Sequence, residues 1–194
     1  MYRRLIPGIF SALIALSCSF TQADVLDFDS ITAPNNFDNT LVIDGFTLPA
    51  GFAGVFDATV VNGAIFPAAH SGPNAMLNWN SRVGEIFRDE AFNFEGAFFH
   101  PDNRDGDAMV DFAGYDGGGN LLYSESRLIS GTWTYHEFNW DGITRFTWDP
   151  VSPDISNIGI DDFTYNVPEP SSIALIAMVG LISLRRRARG YYVN

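Results

Sequence analysis

The body of this chain has no lysine, and the whole chain has one cysteine, Cys18. That cysteine lies in an N-terminal segment that reads as removable, so the mature chain would form no disulfide and offer no thiol to a metal. Stability must then come from an ordinary core. Between residues 24 and 166, five arginines (Arg82, Arg88, Arg104, Arg127 and Arg145) face 22 carboxylates, a net charge of −17 against −12 for all 194 residues. Such a surface repels a phosphate backbone, which excludes nucleic acid as a natural partner and disfavours anionic membrane surfaces. Catalytic motifs are missing too. His70, His100 and His136 stand apart with no HExxH-like pair, and there is no G-x-S-x-G elbow, P-loop or G-x-G-x-x-G. Glu85, Glu90, Glu95 and Glu137 could supply a glycosidase pair, yet any acidic domain offers carboxylates. The expectation is a protein that is not an enzyme.

What is present begins with two address labels. Met1-Tyr2-Arg3-Arg4, an apolar run from Leu5 to Phe20, and Thr21-Gln22-Ala23 before Asp24 have the basic start, short apolar core and small-residue exit of a secretory signal peptide over residues 1–23. The run falls short of the ~20 residues that span a bilayer. A lipoprotein cut at Cys18 is the other option, but Ala15-Leu16-Ser17 is not the lead-in such sites resemble.

At the far end, residues 167–194 hold Val167-Pro168-Glu169-Pro170, an uncharged segment at 173–184, and Arg185, Arg186, Arg187 and Arg189. Twelve residues of helix reach only ~18 Å, against a hydrocarbon core ~30 Å thick. The segment closes that gap only with Ser171 and Ser172 and snorkelling arginines. The arginines belong on the cytoplasmic side, which puts the body across the inner membrane.

Pro168-Glu169-Pro170, a short apolar helix and a terminal arginine cluster, in that order, resemble the PEP-CTERM sorting signal found on exported proteins of Gram-negative bacteria that make exopolysaccharide. The resemblance implies recognition and cleavage near Pro-Glu-Pro by the membrane protease-transpeptidase exosortase. It also implies passage through the secretion machinery, transient anchoring in the inner membrane, and release to the surface or extracellular matrix.

The body, residues 24–166, reads as eight to ten short strands. Turn signals recur at Asp44-Gly45, Asn62-Gly63, Ser71-Gly72-Pro73-Asn74, Asp116-Gly117-Gly118-Gly119-Asn120 and Asp141-Gly142. Asp141-Gly142 predicts a hairpin between 132–140 and 143–148. One or two helical turns are the alternative over 82–91, where Val83, Ile86, Phe87 and Glu90 share a helical face. The expectation is an all-β, antiparallel β-sandwich, specifically a jelly roll. The layout also resembles the jelly-roll domains shared by carbohydrate-binding modules and many PEP-CTERM proteins, through Leu26-Asp27-Phe28-Asp29 and the closing Ile160-Asp161-Asp162-Phe163-Thr164-Tyr165.

That likeness implies a structural calcium shared by Asp27 or Asp29 with Asp161 or Asp162. Calcium takes six to eight oxygens, and adjacent strand residues point to opposite faces, so one of Asp161 and Asp162 would serve. The cluster at 102–107 is a weaker candidate, with Arg104 where a loop ligand should stand. A sugar face is the second candidate. Trp133, Tyr135, Glu137 and Asn139 alternate onto one side of a strand, and His136, Phe138 and Trp140 onto the other. Aromatic planes beside carboxylate and amide groups suit a pyranose ring, and exopolysaccharide is the partner that the PEP-CTERM resemblance implies. Trp79 with Asn78 and Asn80 is a smaller grouping of that kind. Packing of these aromatics in the core is the competing explanation. Two further functions are open: a glycan-active hydrolase on the same scaffold, and ice binding, which needs a flat Thr- or Ala-rich repeat that is not there.

Overall fold

The computed structural model describes residues 23–32, 37–57, 69–78, 82–101, 106–151 and 157–168. The signal segment with Cys18, the Asn62-Gly63 turn, Trp79 and Asn80, and residues 102–105 lie outside the described residues. So does the tail, with Glu169, Pro170, the segment 173–184, Arg185, Arg186, Arg187 and Arg189.

Ten strands follow one another: β1 (Asp24–Leu26), β2 (Leu41–Ile43), β3 (Phe46–Leu48), β4 (Ala53–Asp57), β5 (Asn74–Asn78), β6 (Gly84–Pro101), β7 (Ala108–Tyr115), β8 (Leu121–Ile129), β9 (Thr134–Pro150) and β10 (Ile158–Asn166). Every pairing is antiparallel, and the main hydrogen-bonded path runs β4-β5-β10-β6-β9-β7-β8. Local pattern explains each strand. In β7, Ala108, Val110 and Phe112 are buried, while Met109 and Asp111 face solvent. The turn at Asp116 to Asn120 closes β7 onto β8. The Asp116 carboxylate accepts the N–H groups of Gly118 (2.9 Å) and Asn120 (2.8 Å) and the Asn120 amide, and these bonds hold its pKa below the ordinary value.

Two expectations are corrected. Residues 132–140 and 143–148 do not form a hairpin about Asp141-Gly142; from Thr134 onward both belong to the single strand β9. Each half finds the same neighbour. Tyr135, His136 and Glu137 pair with Phe98, Ala97 and Gly96, and Arg145, Phe146 and Thr147 pair with Phe87, Ile86 and Glu85. The left-handed backbone of Asn139 (φ 54°) and Gly142 (φ 70°) is spent on a bulge, marked by register shifts between Phe87 and Gly96. A bulge bends a strand without ending it. Residues 82–91 are likewise not helical. From Gly84 they form the first part of β6, because Gly84 and Ile86 alternate inward and pairing with β9 outweighs a short helical match.

The bend makes the sandwich. The C-terminal half of β6 and the N-terminal half of β9 join β10, β5 and β4 in one layer. The other halves join β7, β8 and β3 in the second. Rings meet between layers where no strands pair: Phe99 with Phe112 at 5.1 Å, Phe46 with Phe163 at 5.6 Å and Phe146 with Phe163 at 5.9 Å. Arg88 and Arg127 lay their guanidinium groups on Phe46 (5.0 Å) and Phe138 (4.0 Å), closing the rim of the core. Among the described residues every buried hydrophobic side chain lies between Leu26 and Tyr165, so the body carries its own core.

Candidate functional site

The outer face of the β10-β6-β9 layer gathers most of the residues singled out for chemistry. Register sets its rows: Asp161, Phe98 and Tyr135 stand side by side, and Thr164, Gly96 and Glu137 form the next row. Phe138 and Trp140 turn inward, as alternation requires, and are buried. Tyr135 is 41% exposed. Its ring leans across the strand onto Gly96, where an added Cβ would lie 2.6 Å from the phenol oxygen and 2.5 Å from the His136 carbonyl. Only a residue without a side chain leaves room for that pose.

Polar groups border the ring. The Tyr135 hydroxyl is pushed above its ordinary pKa mainly by burial, opposed by a hydrogen bond with Thr164 and aided by the charges of Glu95 and Glu137. Asn139 donates to Glu137 (2.7 Å), Asn166 donates to Glu95 (2.9 Å), and Asn93 donates to Asn166 (3.0 Å). Tyr135, Glu137 and Asn139 are thus brought together, and Phe98, Glu95, Gly96, Thr164 and Asn166 are the members that sequence reasoning missed. A glycine amid alternating aromatics was the available signal for Gly96.

Trp133 differs. It is half-buried against the small cluster of Phe37, Phe56, Ala75 and Leu77, with its ring 5.3 Å from His100 and 6.5 Å from His70. His70 stacks on Phe98 at 3.4 Å and 14°, extending the aromatic surface that starts at Tyr135, whose ring is 5.3 Å from Phe98. A larger side chain at Gly96 is therefore expected to cost twice. Gly96→Val should lift the Tyr135 ring from the sheet, abolish any ligand affinity that depends on it, and lower stability by about 1–3 kcal/mol. Titration of ligand and thermal melts of the one variant measure both effects.

The four aspartates from which a shared calcium would draw its ligands each accept hydrogen bonds within the chain. Asp27 accepts the N–H of Asp29 (3.1 Å), and Asp29 accepts that of Asn74 (3.2 Å). Asp161 is fully buried and accepts N–H groups from Ser71 (2.9 Å) and Asp162 (2.8 Å). Asp162, with φ 48°, takes the Ser71 hydroxyl (2.6 Å) and His70 Nδ1 (2.7 Å). These bonds fasten the loop before β5 onto β10. Among the described residues no group of three or more His, Cys, Asp or Glu side chains is arranged to hold a metal.

Burial pushes the Asp161 carboxyl up to about 7, against the donations from Ser71 and Asp162. Between the unfolded value of 3.8 and 7, the folded chain keeps a proton that the unfolded chain releases. Asp161 therefore favours folding most below that window, and its contribution is lost as pH rises through 7. The difference in melting temperature between the unaltered protein and Asp161→Asn should fall steadily across the window. A flat difference would mean that the carboxylate is already charged throughout.

An open groove of about 350 Å³ lies on the other layer, lined by Glu85, Phe87, Arg88, Asp116, Thr144 and Arg145. Arg145 rests on the Tyr115 ring at 4.1 Å and faces Glu85 at 3.8 Å, so its charge is already partnered. Asp111 and Asp149 are direct cross-strand neighbours on this layer. Burial, then the charge of Asp111, raises the pKa of Asp149.

Three solved structures are similar to this chain. A DUF4465 family protein from Bacteroides caccae ATCC 43185 superposes with a TM-score of 0.56 at 13% identity, over 76% of this chain and all of that one. The K1 cleaved adhesin domain of Lys-gingipain from Porphyromonas gingivalis W83 follows at 0.48 and 10%, over 76% and 99% of the two chains. The CBM22-1 xylan-binding domain from Paenibacillus barcinonensis Xyn10C gives 0.43 and 11%, over 75% and 96%. The first of these shows the fold, an all-β antiparallel sandwich. No curated protein matches the sequence. The tail is matched directly: residues 166–189 are a PEP-CTERM protein-sorting motif, which implies an exported protein, transiently anchored in the membrane, with exosortase as its processing partner.

Proposed function

We propose that the body is a non-catalytic polysaccharide-binding domain, a jelly roll delivered to the outer surface or extracellular matrix, with the Tyr135 face as its binding platform. One observation carries this reading: a tyrosine ring held over Gly96, 41% exposed and bordered by Glu95, Glu137, Asn139 and Asn166. A pyranose ring has an apolar face that stacks on such a plane and equatorial hydroxyls that need acceptors and donors at its edge. Both are supplied within one strand register. A neutral exopolysaccharide of the producing cell is the ligand class that an exported, lysine-free acidic body would not repel.

Affinity electrophoresis of residues 24–168 in gels cast with neutral and acidic bacterial polysaccharides tests the reading. Retardation by at least one polymer, with no release of reducing ends, is the expected result. Migration unchanged in every gel would refute it. The hydrolase reading has one observation in its favour, the opposed pair Asp111 and Asp149 with the raised pKa of the second. It predicts reducing-end release that Asp149→Asn abolishes. Asp161, the carboxyl pushed up to about 7, is closed to a glycosidic oxygen by complete burial beneath Ser71.

A further inference from the structure

The last strand of the sheet path, β8, combines three properties that point to a partner. Among the described residues it pairs only with β7, so its other side ends the sheet. An edge of nine residues is normally guarded by proline, charged side chains, a bulge or shortness, and the two charges on this one, Glu125 and Arg127, already pair with each other. Leu121-Leu122-Tyr123-Ser124-Glu125-Ser126-Arg127-Leu128-Ile129 has neither proline nor lysine, and its pairing with β7 stays in register from Ala108 to Gly114.

Charge is the second property. The body carries −17, and most of its surface repels another copy. Residues 117–135 hold one acid, Glu125, and one base, Arg127, so this stretch is neutral. It also shows apolar groups to water, with Leu122 45% and Leu128 57% exposed.

The third property is near-symmetry of the sequence itself. Read in either direction from Glu125, Leu122 to Leu128 gives serine, then tyrosine or arginine, then leucine. An antiparallel pair related by a two-fold axis sets each residue against its symmetry counterpart. Leucine then meets leucine, serine meets serine, Tyr123 meets Arg127 of the second copy, and the two Glu125 side chains meet at the axis, a like-charge contact that their diagonal arginines offset. Each Glu125 lies diagonal to the Arg127 of the other copy, within reach of long side chains across strands. Within one copy Arg127 already bonds Glu125 at 2.8 Å, so the two charges alternate along the edge.

We propose that a second copy of this chain pairs with the free side of β8, two β8 strands meeting antiparallel about a two-fold axis at Glu125. The two sandwiches then share one continuous sheet, and the Tyr135 face, on the other layer, stays open in both. Repulsion between two bodies of −17 sets the conditions, so association strengthens as salt is added. This pairing does not depend on sugar binding.

Sedimentation velocity of residues 24–168 over a concentration series, at low and high salt, tests the proposal. A monomer–dimer equilibrium shifted to dimer by salt is expected. Glu125→Arg and Arg127→Glu should each weaken self-association by roughly tenfold or more, since the diagonal Glu125–Arg127 attractions that offset the Glu125 pair at the axis become like-charge repulsions. Their equimolar mixture should dimerise again, because the signs are restored across the interface. Arg127 also rests on Phe138, so a melt accompanies each variant. If either fails to fold, Leu122→Lys with Leu128→Lys, at exposed positions, decides by remaining folded and monomeric. A Tyr135→Ala variant should dimerise as the unaltered protein does. A monomer at every concentration and salt would overturn the proposal, as would charge variants that dimerise unchanged. A β8 edge that captures a different extended segment would leave the purified protein monomeric and so also count against it.

Discussion

Tyr135→Ala is expected to weaken polysaccharide binding by about tenfold or more while leaving thermal stability close to that of the unaltered protein. The affinity change follows from losing an aromatic plane against a sugar face, worth about 0.5–1.5 kcal/mol beyond its buried area, with ~1.4 kcal/mol corresponding to a tenfold change in affinity. Small cost in stability follows from exposure: the ring lies over Gly96 on the outside of the sheet, and no core contact depends on it. Tyr135→Phe keeps the plane and loses only the bond with Thr164, so it should retain most of the affinity. Trp133→Ala should behave oppositely. It strips a half-buried indole from the cluster of Phe37, Phe56, Ala75 and Leu77, lowering stability more than binding. Titration calorimetry and melts on these three variants separate a platform from a packing residue.

Phe163→Ala should be the most damaging single change in the core, at about 3–5 kcal/mol. Phe163 has no exposure and lies where the layers meet: 4.4 Å from Phe94 in a stacked pair, 5.6 Å from Phe46 and 5.9 Å from Phe146. The surrounding rings are held by bent strands on both sides, so they cannot collapse far into the space left behind. A domain of this size has roughly 5–15 kcal/mol of total stability, so the variant should melt about 10 °C lower or more. Chemical denaturation gives the direct reading, and a loss under 1 kcal/mol would mean that the two layers do not meet at Phe163.

How much of this was written in the sequence depends on the residue. Alternation was enough for β7, β8 and the outward placement of Tyr135 and Glu137, because a period of two is a local property. The Asp116 turn was equally legible, its carboxylate capping the amides two and four residues on. Asp141-Gly142 misled because the same left-handed tolerance serves a hairpin turn or a bulge. What decides is whether the flanking segments pair with each other or with a common neighbour, here β6. The partnership of Gly96 with Tyr135 is a register fact, fixed by pairing between segments about forty residues apart, and no local pattern encodes it. Asp161 and Asp162 were singled out as calcium ligands; their hydrogen bonds to His70 and Ser71, some ninety residues earlier in the chain, had no local signal.

The sorting motif implies export and processing by exosortase, and the Tyr135 face is the account's central claim about what the body then does. An amide-resolved NMR titration of residues 24–168 with oligosaccharides cut from the exopolysaccharide of the producing cell tests that claim most directly. Saturable shifts gathered at Glu95, Gly96, Phe98, Tyr135, Glu137 and Asn139 are the predicted result. Shifts gathered instead around Phe87, Arg88 and Arg145 on the other layer, or no shifts at all, would contradict it.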